Sequence, residues 1–201
     1  MLNVNHDTFI VGGSVLLLSH ELNQCTRGAV LDSTLYMQLA SGSSPPSLTE
    51  YEQWWERYRS QLNQFGWSRL QDFGSSFKPD PGSPGQVISE VLAAKVIPYL
   101  SSTYVDTIGR ALTELSRLSP QSEVRAQLRQ YSVAEDRGSN LTRVRSQVGI
   151  VLAGTRLIYL SFSFATSETL PDLLIEHVFR TGDIVGEIEF NGCVSVLDLT
   201  D

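Results

Sequence analysis

Gln147-Val148-Gly149-Ile150-Val151-Leu152-Ala153-Gly154-Thr155-Arg156-Leu157-Ile158-Tyr159-Leu160-Ser161-Phe162-Ser163-Phe164 keeps a hydrophobic period of two on either side of one turn. Val148, Ile150 and Leu152 alternate with Gln147, Gly149 and Val151. After Gly154-Thr155, Ile158, Leu160, Phe162 and Phe164 alternate with Tyr159, Ser161 and Ser163. Successive side chains of a strand point to opposite faces, so a period of two on both sides of a tight turn predicts an antiparallel pair. Downstream, Ile188, Phe190, Val194 and Val196 alternate with Glu187, Glu189, Asn191 and Ser195, which predicts a third strand with a bulge at Gly192. Leu173 to Phe179 reads equally as a strand or as a short helix after Pro171.

Upstream of Thr142 the period is close to 3.6. Leu18, Leu22, Cys25, Ala29, Tyr36 and Leu39 form a stripe that predicts a helix ending near Ala40, with Asp32 on the same stripe. Thr8 to Val11 reads as a short strand. Thr49 and Glu52 fit a capping box ahead of the stripe Tyr51, Trp54 or Trp55, Tyr58, Leu62 and Phe65, with Gly66 as the stop. A short strand is expected around Leu70 to Phe77. Helices are expected from Val87 to Val96, from Ser102 to Leu118, and from Ser119, with Pro120 at the first helical position, to Tyr131. The Ser, Pro and Gly content of residues 41–47 and 79–85 marks two connectors. The expectation is one α+β domain over residues 1–201. Its helical part, about 14–131, packs on a C-terminal antiparallel sheet of about three to five strands, about 142–199.

With 201 residues and 41% hydrophobic content, the chain can bury a core without a disulfide or a metal. Cys25 and Cys193 lie far apart and read as free thiols. The net charge of −7 argues against nucleic acid as a partner. Of 15 basic residues only Lys78 and Lys95 are lysines. Phe9 to Leu18 is apolar but has no preceding Lys or Arg and no small-residue cleavage site, so no cleavable signal is expected. No run approaches the roughly 18 apolar residues of a membrane helix. A cytoplasmic protein, or one exported without a signal, is the expectation.

Catalytic signatures are sparse. His20-Glu21 lacks the second histidine of a zinc-protease helix, because position 24 is Gln. No phosphate loop, dinucleotide fingerprint or nucleophile elbow occurs. His6, His20 and His177 share no local spacing. No cofactor, metal or catalytic residue is expected. Trp54, Trp55, Arg57 and Tyr58 are of the types that dominate interfaces and are nominated as an interaction surface. Arg143 and Arg145 alternate onto one face, as do Glu187 and Glu189, and these four complete the nomination as cross-strand or intersubunit charge pairs.

The leading expectation is a non-enzymatic interaction or assembly protein whose partner is a second copy or another protein. One alternative is a small-ligand binder or enzyme with a pocket lined by Arg143, Arg145, Glu187 or His177. Another is an exported effector or toxin that turns its amphipathic strands against a membrane or another protein.

Overall fold

The computed structural model describes residues 6–42, 50–80, 85–87, 102–136, 138–170 and 177–198. Its strands are β1 His6–Val11, β2 Ser14–Ser19, β3 Trp67–Phe77, β4 Gly85–Val87, β5 Val133–Asp136, β6 Leu141–Val151, β7 Arg156–Thr166, β8 Val178–Arg180 and β9 Ile184–Leu197. Its α-helices are α1 Gln24–Ser41, α2 Tyr51–Leu62, α3 Ser102–Ser116 and α4 Glu123–Ser132. Seven strands form one sheet in the order β1-β2-β6-β7-β9-β3, with β5 also on β6; β4 and β8 form a separate pair.

The class is α+β, but the layout expected from the sequence is overturned. The sheet is neither C-terminal nor limited to three to five strands. N-terminal β1 and β2 belong to it, and β2 runs parallel to β6 near its middle. The helices lie between the N-terminal strands and the C-terminal ones in sequence. The physical reason lies in Phe9–Leu18. Gly12, at φ +56°, breaks this run into a hairpin that pairs Val11 with Ser14. All six residues of β2 are buried, since both of its faces are covered. A strand covered on both sides reads as a continuous apolar run without alternation. The period therefore hid it.

Helices lie on both faces of the sheet. On one face, Val15, Leu17, Val144, Val148, Ile150, Ile158, Leu160, Phe162, Phe164, Ile188, Phe190 and Val194 meet Ile108, Ala111, Leu112 and Leu115 of α3 and Leu128 of α4. On the other, Leu16, Leu18, Val151, Leu157, Tyr159 and Cys193 meet Val30 and Met37 of α1 and Tyr51, Trp54, Trp55, Tyr58 and Leu62 of α2.

Several local expectations shift. Helix α4 is preceded by Ser122, and Ser119 instead accepts a backbone bond from Ser122 N at 2.9 Å, so Pro120 lies in a turn. Strand β3 extends over 11 residues and forms the sheet's edge. Gly192 pairs in register with Leu160 and Phe73; the ladder shifts between Ser163 and Ala165 instead. A Cβ at Gly192 would lie 2.2 Å from the Phe73 ring, so this position needs glycine for close approach. Gly66 takes the left-handed conformation as expected. The Thr49 cap, the 88–96 part of the expected helix, residues 173–176, and most of both connectors fall outside the described residues.

Candidate functional site

The two faces of the central strands differ in chemistry. Registration places Val144 opposite Phe164, Val148 opposite Leu160 and Ile150 opposite Ile158 on the α3 face. The intervening positions pair Arg145 with Ser163, Gln147 with Ser161 and Gly149 with Tyr159. Strand β9 adds Glu189, Asn191 and Cys193 to that second face, opposite Ser163, Ser161 and Tyr159. The sheet is thus apolar on one side and mixed on the side covered by α1 and α2, where Ser14, Arg145, Gln147, Ser161 and Ser163 lie among Leu16, Leu18, Val151 and Leu157.

That mixed face is bound to its cover by hydrogen bonds. Gln38 Nε2 of α1 donates to Ser14, to Gln147 and, at 3.1 Å, to Tyr159. Ser14 Oγ donates to Gln147 Oε1 at 3.0 Å. Tyr51 of α2 donates to Ser161 Oγ at 2.8 Å, and Trp67 Nε1 of β3 donates to Ser33 Oγ of α1 at 3.0 Å. The α1 helix is therefore polar inward: Thr26, Ser33, Thr34, Gln38 and Ser41 are buried with Val30 and Met37. This corrects the expected stripe. Cys25, Tyr36 and Leu39 are exposed, because the polar groups of the sheet demand hydrogen-bonding partners that only the other side of the helix carries.

Satisfaction is incomplete. Thr34 Oγ1, Ser41 Oγ, Trp54 Nε1, Arg145 Nη1, Gln38 Oε1 and Gln147 Nε2 are buried without a protein hydrogen-bond partner among the described residues. Such groups each cost about 1–3 kcal/mol relative to a solvated state. Arg145 is the most demanding. It is 2% exposed, its guanidinium stacks 4.2 Å from the Trp54 ring, and Nη2 donates to Tyr131 O at 3.2 Å. Burial pulls its pKa down to about 10. Burial likewise pushes Tyr159 up to about 12, against its hydrogen bond with Ser14, which acts the other way.

The nominated residues separate. Trp54, Trp55 and Tyr58 are buried under the sheet, where Tyr58 stacks on Tyr159 at 4.9 Å. Arg57 is exposed on α2 and Arg143 is half-buried. Glu187 is exposed and Glu189 half-buried. The expected pairing of the β6 arginines with the β9 glutamates does not form for Arg145: β7 lies between, with Ser163 separating Arg145 from Glu189 in register. Tyr51, Gln38, Gln147 and Ser161 were not nominated. Their only sequence signal is polar residues at buried positions of two facing elements, visible once the register is known.

His6 and His20 line one cleft of about 170 Å³ with Arg110 and Glu114 of α3, while His177 lies elsewhere and bonds Glu168 at 2.7 Å. Asp7 accepts from His20 at 2.8 Å and from Arg27, and these two partners, His20 first, lower its pKa. No group of three His, Cys, Asp or Glu side chains among the described residues is placed to hold a metal ion. No described helix is long and apolar enough to cross a membrane.

No family model matches the chain, and no curated protein sequence matches it. Solved structures do. A delta-endotoxin aligns over 100% of this chain and 86% of its own, at 12% identity and a TM-score of 0.53. The activated Cyt2Ba monomer from Bacillus thuringiensis subsp. israelensis aligns over 96% of this chain and 100% of its own, at 10% identity and a TM-score of 0.53. At such identity the likeness is one of fold: this chain is similar to a delta-endotoxin in architecture.

Proposed function

We propose that this protein is an exported effector of the toxin type, which acts on membranes by parting the helices from both faces of its central sheet, α1 and α2 first, so that the strands meet the bilayer. The carrying observation is the chemistry of β6, β7 and β9. These strands have 11, 11 and 14 residues, apolar on one face and mainly small or polar on the other. About 9–11 tilted residues suffice for a strand to cross a bilayer, with its apolar side to lipid and its polar side to water. The unsatisfied groups between the α1–α2 cover and the sheet support the same reading. Water would satisfy them once the cover lifts, which lowers the cost of opening. The delta-endotoxin fold favours it over a self-associating assembly protein, the first expectation from sequence.

The test is release of a trapped dye from lipid vesicles by the purified chain. Release that rises with protein concentration supports the reading. Intact vesicles at saturating protein, across neutral and anionic lipid and from acid to alkaline pH, would overturn it.

A further inference from the structure

Helix α1 turns its polar side inward, and the consequence is on its other side. Leu35, Tyr36 and Leu39 are 42%, 49% and 54% exposed. They continue through half-buried Ala29 to Cys25, at the spacing of one helical stripe. Phe65, from the turn after α2, packs against Tyr36 with ring centroids 4.7 Å apart and widens the patch. An aromatic ring carrying a hydroxyl, flanked by leucines, suits the boundary between headgroups and acyl chains.

Charge selects the kind of surface. Basic amphipathic helices reach anionic lipid through lysine and arginine on their polar flanks. Here α1 contributes a single cation, Arg27, and it is engaged by Asp7 and by Ser19 O. The only charge on the exposed stripe is the carboxylate of Asp32. The whole chain carries −7. An anionic leaflet would repel this face, whereas an uncharged one would not.

Resting on the membrane reading above, we propose that the outward face of α1 is the surface by which the folded protein first docks, and that its occupant is the interfacial zone of an electrically neutral bilayer. Docking through this face precedes any opening, because Leu35, Tyr36 and Leu39 are already exposed in the closed fold.

Cys25 offers a built-in reporter, since it is exposed while Cys193 is buried. A polarity-sensitive dye on Cys25, together with vesicle flotation, reads docking separately from dye release. With phosphatidylcholine vesicles, Leu35→Ser with Leu39→Ser should lower the partition coefficient by about tenfold or more, from the apolar area no longer buried. Adding phosphatidylglycerol should weaken wild-type binding, and Asp32→Lys should reverse that preference without touching the apolar patch. These exposed substitutions should leave thermal unfolding unchanged, which separates lost docking from lost folding. Unchanged partitioning of the double-serine variant alongside continued vesicle leakage overturns the docking face and spares the membrane function. Docking that obeys these rules without any leakage overturns the function and spares the face. A wild-type dimer in light scattering, dispersed by the serine substitutions and indifferent to vesicles, assigns the face to a second copy and overturns the proposal.

Discussion

Arg145 holds the most consequential single side chain position. A guanidinium buried to 2% exposure, with one carbonyl and one indole as its partners, is an incompletely compensated charge. Its lowered pKa of about 10 means that it is still a cation at neutral pH, so the cost persists through the physiological range and eases only in strong alkali. Arg145→Met should stabilise the closed fold by about 1–3 kcal/mol in urea unfolding, and should slow vesicle leakage for the same reason. Gly192 makes the opposite case. Alanine there would collide with Phe73 and with Tyr159 O, 2.8 Å away, so Gly192→Ala should cost about 1–3 kcal/mol. Glu189 adds a pH dependence. Burial first, then Glu52 and Glu187, raise its pKa. A raised carboxyl favours the fold while protonated. That contribution is full below the unfolded value near 4.3 and is lost as pH rises through the folded value. Glu189→Gln should therefore be more stable than wild type at neutral pH, by less than about 1 kcal/mol given its partial exposure, and the gap should close in acid.

At the scale of elements, legibility followed burial. Strands β6, β7 and β9 alternate, because each has one face against apolar helices and the other against polar groups; they were read with the correct partners β6–β7 and with β9 added. The α3 stripe Ile108, Ala111 and Leu115 was equally plain, being packed on the apolar face. Strand β2 was missed because both its faces are buried. Helix α1 was assigned the wrong buried side, because the sequence does not show that Gln38 and Ser33 have polar partners waiting on β2, β6 and β3. The candidate site was legible as residue types, aromatic and arginine, and illegible as geometry. Trp54 and Arg145 were nominated separately, yet they touch. Removing Gln38's amide tests the cover at this scale. Gln38→Leu keeps volume but takes one hydrogen bond each from Ser14, Gln147 and Tyr159, and should lower stability by about 1–3 kcal/mol while accelerating leakage.

For the whole molecule, the arrangement is a sheet whose two coverings are unlike. The α3 side is a hydrophobic contact; the α1–α2 side is a second hydrophobic contact, around Trp54, Trp55 and Trp67, that also encloses hydrogen-bonded polar groups, several of them unsatisfied. Both contacts resist exposure through hydrophobic burial, but the unsatisfied groups of the α1–α2 contact regain partners from water when it parts, which offsets part of that cost. An opening should therefore begin at α1 and α2. All three tryptophans, Trp54, Trp55 and Trp67, lie in that second contact and report on it without engineering. The most direct measurement is quenching of their fluorescence by aqueous acrylamide and by brominated lipid, before and after vesicles are added. The account predicts weak quenching by acrylamide in solution, and strong quenching by one or both agents once vesicles begin to leak. Tryptophans that stay shielded from both while leakage proceeds would contradict it, since the α1–α2 cover would then have remained closed.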